Sequence, residues 1–81
     1  MRTVADLIET VPKTQATIAA ELGISRGYLG QIKGGLMPPR WTRARLCAYF
    51  EVDELELKQA VLASAVARET RRRERMLAGA T

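Results

Sequence analysis

Apolar residues recur along the chain at spacings that gather them onto helix faces. Val4, Leu7, Ile8 and Val11 fall at i, i+3, i+4 and i+7, one stripe of a helix. Thr3 followed by Asp6 resembles a capping box at its start, and Pro12 ends it by Val11 or earlier. Thr14 predicts the N-cap of a second helix, Gln15 to Leu22, with Ile18, Ala19 and Leu22 inward. Gly23 follows where a helix end needs a left-handed backbone, and Ser25 then caps a third helix, Arg26 to Lys33, with Leu29 and Ile32 inward. The glycines and prolines of residues 34–39 predict a loop. A fourth helix starts near Pro39 and runs to Phe50, with Leu46, Cys47 and Phe50 as its stripe and the Arg43 stem on the rim. Asp53 and Glu56 open a fifth, which nothing breaks before Gly79. Five helices, short connections and no strand signal predict an all-α bundle.

The fifth helix carries two apolar sides. Leu55, Leu62 and Val66 suit the core, while Leu57, Val61 and Ala65 lie about half a turn away. The fourth helix similarly leaves Trp41, Ala44 and Ala48 opposite its stripe. These second surfaces either bury each other within one chain or make a homodimer interface from Trp41, Ala44, Ala48, Leu57 and Val61, with Trp41 as aromatic anchor. A long zipper is not expected, because the heptad series Leu57, Val61, Ser64, Arg68, Arg71 turns polar after one turn.

Composition narrows the chemistry. The 81 residues hold no His, one Cys and two Ser, which excludes Ser–His and Cys–His nucleophilic catalysis, His-containing zinc sites and an intramolecular disulfide. No enzyme activity, metal or cofactor is expected. Cys47 sits on an apolar stripe as a small core residue, and Gly34-Gly35 lacks the Lys-Ser/Thr that a phosphate-binding loop needs. The single cysteine and the lack of a long apolar run fit a reducing, aqueous, cytoplasmic compartment with no membrane partner. Asp6 also stands where a signal peptide would be apolar.

The charge of +4, from thirteen Lys plus Arg against nine Asp plus Glu, points to an acidic partner. It is uneven. Residues 68–75 hold five Arg and two Glu, or +3, leaving eight bases and seven acids, or +1, for the rest. On a helix Arg68, Arg71, Arg72 and Arg75 share one face. That face is either a solvated helix end with a Glu69–Arg73 pair, an electrostatic arm on DNA phosphates or in a minor groove, or a surface for an acidic protein.

Residues 15–34 are the most informative. Ala19 lets two helices cross closely, Gly23 makes the turn, and Ile18, Leu22, Ile24, Leu29 and Ile32 fix the angle between them. Ser25, Arg26, Gly27, Gly30 and Gln31 are left on the face free to enter a groove. The run Thr14-Gln15-x-x-Ile18-Ala19-x-x-Leu22-Gly23-Ile24-Ser25-x-x-Tyr28-Leu29-x-x-Ile32 resembles the helix-turn-helix of the lambda-repressor/Cro-like (XRE-type) DNA-binding family. The likeness continues through Gly34 to Pro38, Thr42, Leu46, Cys47 at a usual Ala position, Phe50, Val52 and Leu55, and covers about residues 3–62.

The resemblance implies a five-helix lambda-repressor-like domain over residues 1–66, a basic helical extension over 67–81, and binding to a double-stranded DNA operator as a dimer. Carried over by position, Gln15 contacts a phosphate at a helix N-terminus. Ser25, Arg26, Tyr28 and Gln31 lie at or beside base edges, where Arg pairs with guanine and Gln with adenine. Lys13, Thr14, Lys33, Arg40 and Arg43 are expected on the DNA backbone. Gly27 and Gly30 depart from the family, which often places reading side chains there. They are either unread positions or a smooth surface on which the bases approach the helix backbone.

The functional expectation is a sequence-specific transcriptional regulator, a repressor of the Cro-like kind found in phages or small bacterial systems. Two other readings stand beside it: an antitoxin whose C-terminal helix binds a toxin while the same domain autoregulates, and an excision or architectural DNA-binding protein.

Overall fold

A computed structural model of the chain describes residues 1–79. Those residues form five helices and no strand: α1 (Val4–Glu9), α2 (Gln15–Leu22), α3 (Arg26–Lys33), α4 (Arg40–Phe50) and α5 (Glu54–Gly79). The caps read from the sequence are in place. The Thr3 hydroxyl accepts from the Asp6 N–H while the Asp6 carboxylate accepts from the Thr3 N–H, a reciprocal capping box. That backbone hydrogen bond, ahead of the hydroxyl's, holds the Asp6 carboxyl below its ordinary pKa.

Three helices end in left-handed turns. Gly23 has φ +75°, and the Ile24 N–H reaches back to the Ala19 carbonyl. Gly35 repeats this after α3, with φ +111° and a bond from the Leu36 N–H to the Gln31 carbonyl. Glu51 does so after α4 without being a glycine, at φ 56°, with the Val52 N–H on the Cys47 carbonyl. The Leu22 carbonyl at the end of α2 also accepts a long bond from Arg45 of α4, at 3.4 Å.

Val4, Leu7, Ile18, Leu29, Ile32 and Leu46 meet in one core, with Cys47 and Phe50 half-buried against it. Burial raises the Cys47 thiol pKa, as suits a packing residue. The α5 contribution reverses the sequence expectation. Leu57, Ala60, Val61 and Ser64 face the core, whereas Leu55, Leu62 and Val66 are exposed. Both stripes of α5 have helical spacing, so periodicity could not choose between them. Two features of the fold do. The Ser64 hydroxyl accepts from the Val4 N–H at 2.9 Å and donates to the Ala60 carbonyl at 2.8 Å, which pins this face of α5 against the start of α1. Gly35 presses on the same helix, since a Cβ there would lie 2.6 Å from Ala65.

Leu57 and Val61 are therefore core residues and offer nothing to a dimer interface. Trp41 (85% exposed), Ala44 and Ala48 do lie on the outer side of α4. From Arg68 onward every described residue of α5 is exposed. No helix is long and apolar enough to cross a membrane among the described residues.

Candidate nucleic-acid interface

The α2–turn–α3 unit is held by short-range polar contacts at each end. The Thr14 hydroxyl accepts from the Thr17 N–H at 3.2 Å and the Ser25 hydroxyl from the Tyr28 N–H at 3.0 Å, so each helix N-terminus has one free donor satisfied. Lys33, in the last turn of α3, donates to the Gln15 side chain at the first turn of α2, at 3.4 Å. The two residues expected on DNA phosphates are thereby brought together across the helix pair.

With Leu29 and Ile32 buried, the opposite line of α3 is set by its periodicity. Gly27, Gly30 and Gly34 form that outermost line, with Arg26 and Lys33 on one flank and Gln31 on the other. Arg26 and Gln31 are exposed and make no ion pair among the described residues. Ser25 is exposed but its hydroxyl is occupied by the cap, and Tyr28 is half-buried against the core. Of the four side chains expected at base edges, Arg26 and Gln31 are thus the two left exposed and outside the helix cap.

The backbone candidates separate in the same way. Arg40 is exposed at the first turn of α4. Arg43 is not free: its side chain is 18% exposed, donates to the Pro38 carbonyl at 3.0 Å and pairs with Glu54 at 3.1 Å, which straps the loop before α4 to the start of α5. Lys13 is also engaged, meeting both Glu21 oxygens at 2.9 and 2.7 Å, while the Tyr49 hydroxyl donates to the same carboxylate at 2.6 Å. Lys13 first, then Tyr49, lowers the Glu21 pKa, and Glu21 in turn raises those of Lys13 and Tyr49. This cluster neutralises the charge that Lys13 was expected to offer a phosphate.

The arginine face of α5 lies on the same side as the glycine line of α3. A groove of about 600 Å³ runs between them, with Arg68, Arg71, Arg72 and Arg75 along one wall. Gly27, Gly30 and Gly34 floor the other, edged by Gln31 and Lys33. At one end of the groove an Arg68 nitrogen sits 3.5 Å from where a Cβ on Gly34 would lie. The glycines and the arginines lie more than thirty residues apart in the chain. Their matching helical spacings, 27/30/34 and 68/71/72/75, were the available signal, but only the tertiary fold sets them opposite each other.

Among the described residues no group of acidic, Cys or His side chains could hold a metal ion. Comparison of the chain with known protein families, with characterised proteins and with solved structures finds no match.

Proposed function

We propose that the chain is a sequence-specific double-stranded DNA-binding regulator, a repressor of the lambda-repressor/Cro-like helix-turn-helix type, with α3 in the major groove. The observation that carries this reading is the α2–Gly23–α3 unit, whose apolar stripe is buried while Arg26 and Gln31 flank a bare outer line. The same side carries an arginine face with no ion pair among the described residues, which supplies sequence-independent attraction to phosphates. Arg26 contributes most of the discrimination, roughly 1–3 kcal/mol for a bidentate guanine contact.

The operator-bound form is a homodimer, because one short recognition helix spans few base pairs and a second copy supplies another half-site. Its surface includes Trp41, Ala44 and Ala48 on α4, with the exposed Leu62 and Val66 of α5 in place of the buried Leu57 and Val61. A second reading, a protein partner on the C-terminal helix as in an antitoxin, is favoured by the exposed Leu62, Val66, Met76 and Leu77.

Arg26→Ala tests the recognition assignment. The expected result is loss of discrimination between a selected duplex and random duplex DNA, with little change in binding to random DNA. Unchanged discrimination removes α3 from the reading role.

A further inference from the structure

The groove between α3 and α5 is unusual in what builds each wall. Arg68, Arg71, Arg72 and Arg75 make no ion pair among the described residues, although Glu69 on the same helix is near enough to pair with Arg73 at 3.7 Å. Four like charges on two turns repel one another, so the arrangement is most stable with an anion between the walls. The facing glycines are not there for packing. A Cβ on Gly27 would meet nothing within 4 Å, and one on Gly30 only the side-chain nitrogen of Gln15 at 3.9 Å. Alanine would fit at both positions and would be the better helix former. Gly35 is the contrast, because its Cβ would overlap Ala65.

Size limits what fits. An α-helix with its side chains is about 10–12 Å across, and the major groove of B-DNA is about 12 Å wide. Two helices side by side therefore do not enter one major groove together. If α3 occupies it, α5 lies outside it, and the groove between the two helices is the space open to the sugar–phosphate backbone on that border. The α5 helix is then left over the neighbouring minor groove, which is about 6 Å wide and admits arginine side chains but not a helix.

The geometry points to a strand track: the α3/α5 groove holds the backbone of one strand of duplex DNA, with its phosphates on Arg68, Arg71, Arg72 and Arg75 and its sugars against the bare backbone at Gly27 and Gly30. This rests on the proposed DNA-binding function and extends it to a defined second contact. Seven residues separate Gly27 from Gly34 and Arg68 from Arg75, so each wall is about 10.5 Å long. That length corresponds to about three base-pair steps measured along the duplex axis. Glycine at 27 and 30 is thus a specificity for close approach, held at the expense of helix stability.

The test uses the full chain, a random-sequence duplex and a single-stranded oligonucleotide of equal length, with melting measured on the same proteins. Gly27→Ala combined with Gly30→Ala is expected to raise the melting temperature by roughly 5 °C or more. The same variant should bind duplex about tenfold or more weakly, a loss near 1.4 kcal/mol. Changing all four arginines to Gln should lower the slope of log affinity against log salt by about 3–4. A glycine variant that binds duplex as tightly as the parent, or an arginine variant with an unchanged slope, overturns the track while leaving DNA binding standing. Tighter binding to the single strand than to the duplex overturns it in favour of a groove for an unpaired strand. A parent chain that binds no duplex at all overturns the DNA-binding function as well.

Discussion

The two halves of α5 share one continuous helix and little else. Its first half buries Leu57, Ala60, Val61 and Ser64 against α1 and α4, and receives Gly35 against Ala65. Its second half has no buried residue and carries most of the net charge. The first half is held by the rest of the chain, and the second is helical by propensity and by continuity with the first. Packing and charge are thus divided along a single element, so substitutions in the two halves should move different observables.

The largest effects belong to the buried half. Leu57→Ala should lose about 2–5 kcal/mol of stability, as is typical when a filled core site is emptied. Leu62→Ala, five residues on and 60% exposed, should stay within about 0.5 kcal/mol of the parent in the monomer. Chemical denaturation of the two variants side by side would break the comparison if they fell equally. Gly35→Ala places a methyl into Ala65 from a left-handed backbone, and about 1–3 kcal/mol of overpacking is expected in addition to the conformational strain. Ser64→Ala strands the buried Val4 N–H and should cost about 1–3 kcal/mol in the same assay.

The exposed half should behave oppositely. Truncation after Ala67 is expected to leave denaturant stability nearly unchanged, to weaken binding to all duplex sequences alike, and to flatten the salt dependence. A truncated chain that loses stability would show that the arm packs in solution; one with unchanged DNA affinity would return the arm to the protein-partner reading.

How much of this was legible in the chain follows from which signals are local. Thr3, Thr14, Ser25 and Gly23 set caps and turns within a few residues, and each did what its chemistry predicts. The left-handed turn at Glu51 was not legible, because the residue carries no glycine-like signature. Tertiary choices were equally hidden. Leu55/Leu62/Val66 and Leu57/Val61/Ala65 are both valid helix stripes, and only the Val4–Ser64 bond and the Gly35–Ala65 contact select the second. Lys13 and Arg43 read as free cations until Glu21 and Glu54 are placed beside them. The outward placement of Arg26 follows from local periodicity, whereas the opposition of the glycine and arginine walls needs the complete fold.

The smallest expected effect is in acid. Asp6 and Glu21 have folded-state pKa values below their ordinary ones, through the Thr3 backbone and through Lys13 respectively. Each therefore contributes stability above the ordinary carboxylate range. That contribution falls away as pH drops from about 5 through the lowered values. Asp6→Asn together with Glu21→Gln should make the stability profile flatter over that interval, measured by thermal melting, and an unaltered profile would remove both groups from the acid response.

Whether α3 reads duplex sequence is settled by selecting bound molecules from random duplex DNA. The expected result is a recovered motif with two related half-sites about 10–10.5 base pairs apart, lost in Arg26→Ala. A parent-selected pool that remains random after repeated rounds would contradict it.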